Sequence, residues 1–383
     1  MSNLLTAGLA YDPYFYANAA LRILYKRLGL AFFVDRSLEQ DKASTKGSTI
    51  QLRRPQTFSA TSMPIAEASI ADVSPTYSNL VINQWQGQGF RLTDKERTLS
   101  PERFITEHIT PVAISIADAV DQSIAALSLE IPWIVSADAS TPINDFANIR
   151  QTLFNSKAPI VNSADYAYMV DGVLANRYEK QQTFIMANTA GDDARFQRDG
   201  VLGNKFGFAI FANQNATTFT SGSAALTSPV TGTAGAVAGA SQIIISGSGG
   251  SGNLNRGTVI TITGDSQLYA VTTTTAMGST GCTVPVSPNV AKTTADGTSL
   301  SFNQTTCTSM GLAFHRDAFA LVMQPLEDPG PGILSATVRD EITGLTLRAR
   351  IWGSGGSGAT FWTVDGLWGV KTKDPNLAVR IQI

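Results

Sequence analysis

Of the 58 charged side chains in this chain of 383 residues, residues 206–314 hold four: Arg256, Asp265, Lys292 and Asp296. The stretch is a different kind of polypeptide from its flanks, rich in Thr, Ser, Gly and Ala. Short β-branched runs stand out in it, at Thr258–Thr263, Leu268–Thr272 and Cys282–Val286, with Gly, Asp and Asn between them. That pattern predicts a small antiparallel barrel or sandwich. Over 216–240, where periodicity is weak, disorder is the alternative.

The flanks carry the other 54 charges and read as mixed α and β. The length of the whole chain, 383 residues, suggests two or three domains at about 100–200 residues each. Charged residues make up 15% of the whole chain, against about 25% in a typical soluble domain, and Lys+Arg 28 against Asp+Glu 30 leaves a net charge of −2. A dedicated nucleic-acid binder would be strongly basic. A surface so weakly charged suits burial against other copies. Cys282 and Cys307 are too few for a disulfide framework and lack zinc spacing, so they read as reduced thiols of a cytosolic product. No signal peptide is recognisable in residues 1–20, and the Asn215 and Asn303 sequons read as chance matches. No window of eighteen uninterrupted apolar residues predicts a membrane span.

Asn18 can cap a helix carrying Leu21, Leu24, Tyr25 and Leu28 on one face, ended by Gly29. Between Lys46 and Leu92, Ser48–Arg53 and Asn79–Trp85 read as strands of an extended excursion that needs a neighbour to lie on. Ser100-Pro101 and Thr110-Pro111 place a cap before a proline. From the second start, Val112, Ile116, Val120, Ile124 and Leu127 form one stripe over 111–129, with Asp121 on the other face. Helices are predicted at 145–154 and 163–176, and alternation predicts strands at Leu345–Ile351 and Leu377–Ile383.

No constellation carries catalysis. His108 and His315 stand alone, no Gly-x-Ser-x-Gly elbow is present, and no His, Cys or acid cluster has metal spacing. His315 reads as structural, at a strand-to-helix junction. Gly247, Gly249 and Gly252, and again Gly353, Gly355 and Gly358, match the Gly-x-Gly-x-x-Gly spacing, but β-branched segments rather than helices follow, so both read as flexible Gly-Ser loops. Arg22, Lys26, Arg27, Arg53 and Arg54 could touch phosphate but read better as solvated or paired. The aromatics of Tyr11–Tyr16, Phe361, Trp362 and Trp368 read as packing anchors. No catalytic, cofactor or metal residue is assigned.

Six segments in order resemble the major capsid proteins of tailed bacteriophages with the Hong Kong 97 fold, in the branch with an inserted β-barrel domain. They are Asn18–Leu24 with Val34–Arg36, Gly47–Pro55, Thr110–Asp121, Gly203–Asn213, Leu312–Val322, and Val364–Val370 with Leu377–Ile381. The resemblance implies an α+β fold divided into an N-terminal arm at 1–40, an extended β loop at 41–95 and a spine-helix peripheral domain at 96–135. An axial α/β domain would follow at 136–213, then an inserted β-barrel-like domain at 214–309, and a return to the axial domain with C-terminal peripheral strands at 310–383. It implies self-association into pentamers and hexamers of an icosahedral shell, portal and scaffolding partners, and non-specific contact with packaged double-stranded DNA. It implies no membrane, no enzyme activity and no cofactor, a place in the virion capsid, and assembly in the host bacterial cytoplasm. The loop 41–95, with Leu52, Phe58, Ile65, Trp85 and Phe90 as its main anchors, would be mobile in a free subunit and ordered over a neighbour. An encapsulin-type compartment and a β-rich tail or adhesin protein are the competing readings. The insertion argues against the first, and the spine helix and the lack of repeats against the second.

Overall fold

The structure is a computed structural model describing residues 13–37, 49–54, 63, 76–93, 105–138, 140–159, 165–181, 202–232, 235–330, 332–340, 344–354, 356 and 358–383. The chain forms two units, one of Met1–Tyr25, Arg36–Ile116 and Leu321–Lys373, the other of Lys26–Asp35, Ala117–Ala320 and Asp374–Ile383.

Helix α1, Pro13–Arg27, starts earlier than Asn18 predicts. Pro13 has the fixed φ that suits a first helical position, so Asn18 lies inside the helix rather than capping it. Of the expected apolar face, Leu21 and Leu24 in the helix and Leu28 just after it are buried, while the Tyr25 side chain lies outside the described residues. Helix α2, Thr110–Ala125, does not begin at a Thr110 cap either. A π-helical turn, Ile105–Ile109, leads into it. Pro111 has no N–H to donate and crowds the carbonyl four residues back, and the wider turn precedes it where the regular ladder would fail. Ser100 and Pro101 lie outside the described residues. The stripe holds, since Val112, Ile116, Val120, Ile124 and Leu127 are all buried, the last in a 3-10 turn, Ala126–Glu130. Glu107–Glu130 is long and apolar enough to cross a membrane, but burial of this stripe inside the protein accounts for its apolarity.

In the first unit, Ala359–Thr372 is the long strand of a five-stranded sheet, flanked by Thr346–Ser354 and Gln84–Thr93, with Leu334–Arg339 beyond the former and Phe319–Gln324 also in the sheet. The strand predicted at Asn79–Trp85 is two strands, Thr76–Val81 and Gln84–Thr93, broken at Ile82 and Asn83. Thr76–Val81 pairs antiparallel with Thr49–Arg54. Trp362 is buried between Tyr16, edge-on at 4.8 Å, and Phe90, stacked at 6.3 Å, and His108 stacks on Phe90 at 5.1 Å. Of the loop anchors, Leu52 is buried and Trp85 is exposed, while Phe58 and Ile65 lie outside the described residues.

The second unit contains a six-stranded sheet ordered Ile134–Ser136, Ala378–Gln382, Met310–His315, Tyr166–Val170, Phe208–Ala212, Gly203–Lys205. Helices α3, Asn144–Asn155, and α4, Gly172–Glu179, contribute Phe146, Ile149, Leu153, Leu174 and Tyr178 to a core with Tyr168, Val170, Ile210, Val379 and Ile381. The helix predicted at 163–176 is corrected: Tyr166–Val170 is a strand with every residue buried. A strand covered on both faces shows no alternation, so its apolar run mimics a helical face. The real helix starts where the Asp171 carboxylate accepts from Leu174 N at 2.9 Å.

Within the same unit, residues 225–303 form a second antiparallel sheet of six strands, ordered Leu300–Asn303, Val259–Ile262, Leu268–Val271, Gly281–Ser287, Gln242–Ser251, Ala225–Thr231. Its two ends meet: Thr231 N donates to Thr298 O at 2.8 Å and Gly297 N to Thr231 O at 3.0 Å. The sheet is therefore a barrel rather than a sandwich, filled by Ile243, Ile245, Ile260, Ile262, Tyr269, Val271, Val284, Val286 and Leu300. The supposed Gly-Ser loop at 247–252 is largely strand. A Cβ on Gly247 would sit 2.6 Å from the Leu226 side chain and one on Gly250 2.0 Å from Gly278 O, so close strand approach is what excludes side chains there.

Candidate functional site

The sequence assigns no reactive residue, and among the described residues no group of three or more His, Cys, Asp or Glu could hold a metal ion. What the structure does bring together, in a chain so short of charge, are polar groups buried at the junctions of elements.

In the first unit the junction is Asp365. Register places it opposite Arg348 on one side and Gly87 on the other. Arg348 donates Nε to Oδ1 at 3.1 Å and Nη2 to Oδ2 at 2.7 Å, and its Nη1 reaches Glu327 O at 2.6 Å. Arg350 lies 3.3 Å from Oδ2, and the Trp85 indole N–H donates to the same oxygen at 2.9 Å. The Arg348 and Asp365 side chains are 6% and 3% exposed, so this is a bidentate pair out of water. Gly87 makes room for it, because a Cβ there would lie 2.6 Å from Asp365 Cβ.

In the second unit, Asp121 of α2 is buried, not solvent-facing as the helical wheel suggests. Oδ2 accepts from Gly29 N at 2.9 Å and Asn213 Nδ2 at 3.4 Å, which ties the turn after α1 and the end of Phe208–Ala212 to α2. Burial raises its pKa above the ordinary 3.8, against the lowering pull of the amides of Gly29, Ala31 and Leu30 and of Asn213.

A third carboxylate, Asp145, accepts from Asp138 N at 2.8 Å and from the Tyr178 hydroxyl at 3.0 Å, and that hydroxyl meets Tyr168 Oη at 2.8 Å. Burial lifts Asp145 above 3.8, while the Asp138 amide, Tyr178 and Arg177 pull it down. A carboxyl raised on folding contributes stability that is fully present below 3.8 and lost as pH climbs through the raised value. Asp145→Asn, which cannot ionise, is expected to gain on the parent in thermal midpoint as pH rises from below 3.8 through the raised value. A difference that stays constant over that range would contradict this.

Side-chain contacts join the barrel to the rest of its unit. Arg380, wholly buried on the C-terminal strand, donates Nη2 to Gly257 O at 3.0 Å, and burial brings its pKa down to about 10. Arg256 pairs with Glu130 at 2.9 Å, and Gln267 Nε2 donates to Asn376 Oδ1 at 3.2 Å. Phe219, Cys307 and Met310 pack together there, with Leu129 against them.

The residues singled out from sequence are dispersed. His315 Nδ1 accepts from Asp317 N at 3.2 Å and caps a 3-10 turn between two strands, a structural role as expected, though no helix proper follows. Arg22 is exposed, and the side chains of Lys26, Arg27, Arg53 and Arg54 lie outside the described set. Tyr16, Trp362 and Trp368 are buried anchors, Phe361 stacks on Trp352 at 5.6 Å, and Tyr14 and Phe15 are exposed. Cys282 and Cys307 are free thiols. Asp121, Asp145, Asp365 and Arg380 were missed as junctions. The only signal for them was the rarity of charge in otherwise apolar segments.

No family model and no curated protein matches the chain. Among solved structures, a chain of Mycobacterium phage Che8 is similar over 92% of this chain and 90% of its own, with a TM-score of 0.52 at 15% identity. The capsid structure of the Cyanophage P-SCSP1u aligns over 88% and 84% with a TM-score of 0.46 at 11% identity. The virus-like particle from Pyrococcus furiosus aligns over 96% and 97% with a TM-score of 0.41 at 10% identity. Of these three likenesses the first is close enough to fix architecture: this chain has the α+β fold of the Mycobacterium phage Che8 chain.

Proposed function

We propose that the chain is the major capsid protein of a tailed bacteriophage, a structural subunit that self-assembles into the icosahedral shell around double-stranded DNA. The observation that carries this reading is the fold likeness to the Che8 phage chain over nine-tenths of both chains. Six segments resembling the capsid family in the same order support it, as does a composition short of charge and suited to burial between copies. The subunit works as pentamers and hexamers in the virion, and it meets portal and scaffolding proteins and packaged DNA during assembly in the host cytoplasm. Its role is mechanical rather than catalytic. Sedimentation velocity of the purified chain tests the reading: a narrow boundary of very large closed particles is expected, and a subunit that stays monomeric under every assembly condition would refute it.

The domain division belongs to the same proposal: arm 1–40, extended loop 41–95, spine domain 96–135, axial domain 136–213 and 310–383, and an inserted barrel at 214–309. Closure of the barrel between 225 and 303 supports the insertion. Excising 216–308 with a short linker is expected to leave a body that melts cooperatively by circular dichroism, because the uncovered Arg380 guanidinium regains water rather than standing unpaired. Loss of all cooperative unfolding would refute the boundary.

A further inference from the structure

The strand Gln84–Thr93 is bonded along one side to Ala359–Trp368 through ten successive pairs without a register shift. Among the described residues no strand pairs with the other side of Gln84–Gly89. Sheets guard such a margin with lysine, proline, a bulge or a covering element, since unpaired N–H and C=O groups in a row are a template for another chain. The sequence Gln84-Trp-Gln-Gly-Gln-Gly89 has no charge and no proline, and Gln86, Gly87 and Gln88 are exposed. The glycines have a local reason, since Cβ atoms at Gly87 and Gly89 would meet Asp365 and Thr363 at 2.6 and 2.4 Å. The glutamines are different. A carboxamide both donates and accepts, so it meets its own copy without repulsion, which a lysine or glutamate cannot do.

We infer that Gln84–Gly89 pairs with the same strand of a second copy of the chain, antiparallel about a two-fold axis, so that two five-stranded sheets become one. An isologous contact of this kind is self-complementary by construction. Main-chain bonds give it cohesion and the Gln86 and Gln88 amides set its register. The inference rests on the self-association proposed above and names one surface through which it runs.

Amide-resolved hydrogen exchange on dissociated and assembled protein tests it. Alternate amides within Gln84–Gly89, those turned away from Ala359–Trp368, are expected to slow roughly tenfold or more on assembly. Gln86→Lys with Gln88→Lys should weaken association about tenfold and leave the melting of the free subunit unchanged. Mixing that variant with Gln86→Glu, Gln88→Glu protein should restore association, because opposite charges then meet across the axis. Shells whose edge amides exchange as fast as in the subunit, or lysine and glutamate variants that do not rescue each other, overturn this inference alone. A parent chain that never associates overturns the proposed function with it.

Discussion

Asp365→Ala is expected to cost about 3–5 kcal/mol of stability, because it leaves Arg348 buried with its carboxylate partner gone. Against a total of about 5–15 kcal/mol that is enough to unfold the first unit in much of the population. The loss combines the bidentate bonds of Arg348, the Arg350 contact and the Trp85 indole bond, all on one carboxylate. Replacing both partners, Arg348→Met with Asp365→Leu, should recover most of the loss, since an apolar pair of similar volume carries no desolvation penalty. Four of the five tryptophans, Trp85, Trp352, Trp362 and Trp368, belong to the first unit, so the denaturant midpoint followed by tryptophan fluorescence reads it directly. A double variant no better than Asp365→Ala would mean that the geometry of the pair, and not its desolvated charge, sets the cost.

Ile124→Ala should cost about 2–5 kcal/mol through lost transfer energy and the cavity left behind. Ile124 is buried in the stripe with Val120 and Leu127. Position on the helix offers Asp121→Asn as a mild control, but the structure withdraws it: Asp121 is buried, and its Oδ2 holds both Gly29 N and Asn213 Nδ2, so the weaker acceptor of an amide would loosen that junction. The expected cost of Asp121→Asn is about 1–3 kcal/mol. Asp118, exposed on α2, serves instead, and Asp118→Asn should stay within about 0.5 kcal/mol. Thermal midpoints of the three variants check the ranking. An Ile124→Ala chain that melts with the parent would show that the stripe is not core.

How much of this was legible in the chain follows from what one-dimensional patterns record. The stripe from Val112 to Leu127 and the helix at 145–154 were readable because each presents one apolar face to a core and one to water, so their period survives in the sequence. Tyr166–Val170 was not, because a strand buried on both faces loses its alternation. The charge desert marked the barrel, yet Gly247 and Gly250 read as slack linker when neighbouring strands in fact press too close for a side chain. Arg380 and Arg348 sit in polar slots of alternating strands, where pattern predicts solvent. Once buried, each donates to a main-chain carbonyl outside its own strand, at Gly257 and at Glu327. Junction residues are defined by such distant partners, and periodicity carries no information about them.

Electron micrographs of the purified, assembled chain would decide the account most directly. Closed icosahedral shells, with the two units of each subunit repeating in rings of five and six, are the predicted result. Elongated rods, or dispersed subunits under conditions that preserve the fold, would contradict it.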